Sequence, residues 1–168
     1  MEIPKRLYPV QVYTATHVIE GQHQPVGSFM NAINEADNVC FAVNEATFTP
    51  LAAQTMLRPV SVPEVVVNKH DIQFICLLDD TLQGELNMLK RVERVIAYTS
   101  AFALRGDFHV GAEAQTRDMV DTFRGQFQPL TDVTIFPLIE TRVNVVREQS
   151  MVIVNALAIQ IYHPEVTS

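Results

Sequence analysis

Short runs in which apolar and polar residues alternate, punctuated by Gly and Pro, make up most of the chain. "VQVYT" at residues 10–14 alternates in this way and is rich in β-branched and aromatic side chains. After a break at Ala15-Thr16, "HVIEGQHQ" reads as a second strand, so the pair predicts a hairpin that Pro25 and Gly27 bring to an end. "SFMNAINEA" at 28–36 changes period: Phe29, Ile33 and Ala36 share a helical face and Ser28 stands at the N-cap position. Three extended segments follow, "VCFAVNEATFTPL", "VPEVVVN" and "DIQFICLL", which completes the order β-β-α-β-β-β.

The same order recurs. "KRLYPVQVYT" at 5–14 aligns with "KRVERVIAYT" at 90–99, an offset of 85 that carries through Gly21 and Gly106. Farther on the offset becomes 87. "VNEATFTPL" at 43–51 then lies over "LTDVTIFPL" at 130–138, and "VVVNKHDIQFI" at 65–75 over "VIVNALAIQIY" at 152–162. Three blocks in one order predict two copies of a single unit, residues 5–78 and 90–163. In the second copy the helix is expected in "AQTRDMVDTFRG", with Thr116 as cap, Met119, Val120 and Phe123 as apolar positions and Gly125 as stop. Between the copies, residues 79–89 place Leu82, Leu86 and Leu89 at helical spacing and predict a short linker helix, which Gly84 weakens.

Strands this short cannot each cover an apolar face, so the expected fold is mainly β, two small sheets each curled into a five-stranded barrel. Gly21 and Gly106, inside strands, fit the sharp bends a small barrel needs. The expected core is Val10, Val12, Ile19, Phe41, Val43, Val66, Ile72 and Phe74, with Val95, Ile153, Ile159 and Ile161 in the second copy.

In each copy a valine-alternating strand, a turn, an apolar-x-Gly ending ("VIEG", "ALRG"), then "FAVNEA" or "PLTDVT", and finally "VVVNKHDIQFI" or "VIVNALAIQIY" resembles the Sm-like (SH3-type) small barrel. The chain is also similar to an uncharacterised bacterial family of tandem small-barrel proteins, with the helix inserted between strands 2 and 3. The resemblance implies edge strands that pair with a neighbouring barrel. RNA binding does not come with it: Cys40 stands where the RNA-holding asparagine would be, Asn68-Lys69 and Asn155-Ala156 replace the Arg-Gly pair, and a helix occupies the place of the RNA loop.

Charge supports that exclusion. The formal net charge is −7, with four basic against nine acidic groups in residues 1–84 and eight against ten in residues 85–168, so a phosphate backbone meets net repulsion. Nearly half the residues are apolar, enough to bury a core. Apolar runs such as "FICLL" at 74–78 fall far short of the roughly 18 residues of a membrane span, and "MEIPKRLYP" lacks a signal-peptide core. The chain therefore reads as soluble and cytoplasmic, with Cys40 and Cys76 as reduced, buried thiols.

Catalytic and metal patterns are weak. His17-x-x-Glu20-x-x-His23 has ligand-type residues, but on a strand Glu20 faces away from the two histidines. Thr99, Ser100 and Ser150 lack a histidine and carboxylate in triad spacing. "GDFHVG" at 106–111 is no phosphate loop, and Arg91 and Arg94 have the wrong spacing for a cyclic-dinucleotide grip. Arg117, Asp118 and Asp121 read as a solvated face, and His163 as an exposed strand end. No catalytic residue, cofactor or metal is expected.

What remains is assembly. The expectation is a non-catalytic interaction or scaffold protein whose partner is protein, above all a further copy of itself as pseudo-dimer or homo-oligomer. The candidate assembly strands are Val65, Val66 and Val67, and Val152, Ile153 and Val154, where three consecutive β-branched residues suit an inter-barrel strand. The alternative is a ligand- or nucleic-acid-binding module using Arg105, Arg117, Arg124, Arg142 and Arg147 of the second copy. At the outward position shared by the first hairpins the two copies carry opposite charges, Glu20 and Arg105.

Overall fold

A computed structural model of the chain describes residues 6–166. Lys5, the first residue of the expected repeat, lies outside them, as does part of the N-terminal stretch weighed as a signal peptide. The chain is mainly β. Ten strands form one antiparallel sheet that does not close on itself.

The first five strands are β1 (Tyr8–Thr14), β2 (His17–His23), β3 (Cys40–Pro50), β4 (Val60–Asn68) and β5 (Ile72–Leu77); the next five are β6 (Val92–Tyr98), β7 (Phe102–His109), β8 (Phe127–Pro137), β9 (Glu148–Asn155) and β10 (Ile161–Pro164). Their spatial order is β10-β6-β7-β8-β9-β5-β1-β2-β3-β4. Each half thus runs fifth strand, first, second, third, fourth, and the halves join where β5 meets β9.

Register matches across the halves residue for residue. Val10 faces Gly21 as Val95 faces Gly106; Tyr13 faces Phe74 as Tyr98 faces Ile161; Cys40 faces Asn68 as Phe127 faces Asn155. The irregularities coincide as well. β2 shifts register against β3 at Gly21, and β7 against β8 at Gly106. Opposite these shifts Glu45 (φ 50°) and Asp132 (φ 52°), 87 residues apart, both take the left-handed backbone conformation. A methyl group at Gly21 would meet the Asn44 carbonyl oxygen at 2.5 Å, and one at Gly106 the Leu130 Cγ at 2.8 Å, so only glycine lets the strands cross this closely. Asn68 and Asn155 close the turns after β4 and β9 alike, their side chains accepting from the His70 and Leu157 amides.

Helix α1 (Phe29–Ile33) is capped by Ser28 and buries Phe29 and Ile33. It stops before Ala36, because the buried Lys69 Nζ donates to the Ala32 carbonyl at 3.1 Å and to that of Glu35 at 3.4 Å. The expected second-copy helix does not form. Residues 116–118 and 120–122 make two 3-10 turns instead, in which Met119 is buried. The linker carries helix α2 (Thr81–Glu85), with Leu82 buried and Leu86 packed on the core. Leu89 lies past the end of α2 and is exposed.

Two apolar clusters fill the two halves and exchange side chains at the join. Ile75 and Leu77 of β5 stay with the first cluster, while Phe74 and Cys76 point into the second; Met151 and Ile153 of β9 point the other way, into the first. This is strand alternation at work. Two expected core residues are on the surface, Val66 at 58% and Ile161 at 64% exposed, and Ile159 is only partly buried. Each of the first two sits on a strand with a single neighbour, where the outward face has nothing to pack against. Cys40, expected inside, is exposed at the start of β3.

Candidate functional site: the sheet edges and the groove beside β4

Among the described residues β4 and β10 each pair with one strand only, β3 and β6 respectively. The two candidate valine triplets therefore have different fates. Val152, Ile153 and Val154 are fully buried, because β9 lies between β8 and β5 and pairs with both. Val65, Val66 and Val67 lie on the open edge strand: Val67 is buried, Val65 half-buried, and Val66 faces outward. The second open edge, Ile161 to Pro164, was missed because its few apolar residues read as core. The offset of 87 was the available signal, since it places Ile161, Tyr162 and His163 over Phe74, Ile75 and Cys76.

A groove of about 560 Å³ runs beside β4. Ile19, Phe48, Val65 and Val67 make it apolar; His17, His70, Asp71 and Gln73 add polar groups, and Ser100 and Leu157 come from the second half. Within the wall the polar groups bond to one another. Thr99 Oγ1 donates to Gln73 Oε1 at 2.5 Å, and Gln73 Nε2 donates to Ser100 Oγ. Thr99 Oγ1 also accepts from the Phe102 amide at 3.1 Å, closing the turn between β6 and β7 as Thr14 closes that between β1 and β2. Gln73 thus bridges the Thr99 and Ser100 hydroxyls. Ser150 is exposed on β9.

The three residues of the His17-Glu20-His23 pattern are held apart by separate partners. His17 Nδ1 bonds to Thr16 Oγ1 at 2.8 Å, and Glu20 accepts from Gln11 Nε2 at 2.9 Å. His23 is buried, stacked on Phe41 at 3.9 Å, with Nδ1 donating to the Ala42 carbonyl at 2.8 Å. Burial holds its pKa below the ordinary imidazole value; the Ala42 bond opposes this and the Lys69 charge adds to it. Among the described residues no group of three or more His, Cys, Asp or Glu side chains is placed to hold a metal ion. Burial also pushes the Cys76 thiol up to about 12.

No known protein family matches this chain, and neither a characterised protein nor a solved structure does. The reading of function therefore rests on residues and geometry.

Several arginines are engaged by groups of the same chain. Arg94 bonds Asp107 at 3.0 Å and both Asp132 and Glu165 at 2.9 Å. Arg105 pairs with Glu165, and its Nε is buried without a partner among the described residues. Glu165 thereby ties the end of β10 to β6 and β7. Arg142 donates to the Leu57 carbonyl, and Arg117 lies 3.8 Å from Asp118 on the exposed 3-10 turn, with Asp121 on the next. Arg91 bonds the carbonyls of Gly111, Ala112 and Ala114, and His163 Nε2 bonds Tyr98 Oη at 3.1 Å. No helix among the described residues is long and apolar enough to cross a membrane.

Proposed function

We propose that this chain is a non-catalytic scaffold built from two copies of an Sm-like small barrel, residues 5–78 and 90–163, which assembles with protein partners, its own copies first, through its sheet edges. One observation carries the reading: the halves are joined by the fourth strand of one against the fifth strand of the other, and the remaining fifth and fourth strands, β10 and β4, stand open at the two ends. An open strand presents a row of unpaired amides and carbonyls, and in a stable protein such edges are protected or used. The matching registers, glycine crossings and left-handed residues of the halves support the reading of two copies. The arginine-based alternative is less well supported, since of its five residues Arg105 is taken up by Glu165 and Arg142 by the Leu57 carbonyl of the same chain.

Light scattering across a concentration series tests the reading. A mass that reaches multiples of 18.9 kDa is expected. A mass that stays at 18.9 kDa throughout overturns it.

A further inference from the structure

The second half's core shows what fills the seat that corresponds to the groove beside β4. There Phe74 and Tyr13, both from the first half, stack on each other at 4.6 Å, and each meets Phe102 edge-on, at 5.0 Å and 5.5 Å. Leu104, Ile135, Val152 and Val154 belong to the same buried cluster, and Phe74 lies directly opposite Val154. Two aromatic rings brought in from outside the half thus complete its core.

By the offsets of 85 and 87, Leu104, Ile135, Val152 and Val154 correspond to Ile19, Phe48, Val65 and Val67, and Phe102 corresponds to His17. All five counterparts line the groove. The counterparts of the two filling rings, Ile161 for Phe74 and Tyr98 for Tyr13, lie on β10 and β6 at the opposite end of the sheet, so the chain leaves this seat open. Its volume of about 560 Å³ falls within the roughly 300–1,000 Å³ of small-molecule sites. Phe48 and Val65 are partly buried on one side, and Leu157, 69% exposed, stands on the other.

The open seat differs from the filled one in polarity. His17, edge-on to Phe48 at 5.8 Å, stands where the second half has Phe102, and His70 and Asp71 stand where it has Leu157 and Ala158. An apolar interior favours the face of a ring, and a rim with imidazoles and a carboxylate favours an edge that carries a hydrogen-bond donor. We infer that the groove beside β4 binds a small planar aromatic molecule with a hydroxyl or N–H on its edge, of the phenol or indole class, in the seat that Phe74 and Tyr13 fill in the other half. The inference rests on the correspondence of the two halves and not on self-assembly, so a chain whose mass stays at 18.9 kDa leaves it standing. It also fixes the number of sites. With the second seat already filled, each chain binds one molecule.

Titration of 2-naphthol with the full chain, followed by the anisotropy of the probe's own fluorescence, tests the site; the chain has no tryptophan to interfere. Saturable binding of one probe per chain is expected, displaced by indole. Absence of saturable binding, or two equal sites per chain, overturns the proposal. The location is tested by filling the seat. Val65→Phe, on the groove wall, removes the space in which the ring is buried and is expected to weaken binding about tenfold or more. Val39→Phe, exposed outside the groove, is expected to leave it unchanged. Equal affinity in Val65→Phe and the wild type overturns the assignment to this groove. The edge chemistry is tested with 2-methoxynaphthalene, which keeps the two rings and lacks the donor. Weaker binding than that of 2-naphthol is expected, and equal binding overturns the assigned class of ligand.

Discussion

Phe74→Ala probes the exchange of side chains between the halves directly. Phe74 belongs to the first half by sequence and to the second half's core by position, fully buried, stacked on Tyr13 at 4.6 Å and edge-on to Phe102 at 5.0 Å. Truncating a buried phenylalanine to alanine costs about 3–5 kcal/mol, the upper part of the range applying where the surroundings cannot collapse into the cavity. Collapse is hindered here because β5 is hydrogen-bonded on both sides, to β1 and to β9. Two aromatic contacts go with the ring, each worth about 0.5–1.5 kcal/mol beyond its area, which also favours the upper end. Urea unfolding, followed by far-ultraviolet circular dichroism and by tyrosine fluorescence, measures the loss; the chain has four tyrosines and no tryptophan. Since β5 and β9 each serve both cores, the wild type is expected to unfold in one transition by both probes, and Phe74→Ala to shift it whole. The reasoning is refuted by a loss under about 0.5 kcal/mol, the size of an ordinary surface change. It is equally refuted by two separate transitions of which the substitution moves only the earlier.

His23 gives a pH dependence with a definite sign. Its folded pKa is lowered, so between the folded value and the unfolded one of about 6.5 the unfolded chain binds the additional proton, and stability rises with pH across that window. The contribution of neutral His23 is complete above about pH 6.5 and is lost as the pH falls through the folded value. Urea midpoints measured on either side of the window should differ less in His23→Gln than in the wild type; an equal difference removes His23 as the cause. The two thiols should separate cleanly. Native protein is expected to yield one fast-reacting thiol to a disulfide reagent at mildly alkaline pH, from exposed Cys40, and the second only in urea, since Cys76 is buried with its pKa pushed up to about 12. Two fast thiols in the native protein would contradict the burial of β5.

Alternation in "VQVYT" and the glycine of "VIEG" were enough to place the first hairpin and its crossing, because both are local: a strand shows its buried face every second residue, and a Cβ at Gly21 has nowhere to go. The helix read in 116–125 was misplaced because a handful of apolar residues at helical spacing is also satisfied by consecutive 3-10 turns that bury Met119 alone. Val66 and Ile161 show the converse limit. Each lies in a run of β-branched or apolar residues that reads as core, yet each is exposed, because burial depends on whether a neighbouring strand arrives. Nor was the groove beside β4 legible, since its walls come from β2, β3, β4, β5 and the turns after β1, β4, β6 and β9.

By itself the sequence determined the strand content, the order of strands in each half and the correspondence of positions 85 and 87 residues apart, since all of these follow from side-chain period and from glycines that admit no substitute. The tertiary structure alone decided which of two near-identical edges is covered. Val65–Val67 and Val152–Val154 are alike in sequence, and either could pair with a fifth strand. Within one chain only one such pairing joins the halves, because β5 enters the linker and meets β9, whereas β4 and β10 end up at opposite ends of the sheet. Strand pairing is a long-range choice that local periodicity does not encode, and here it separates a buried strand from an open one.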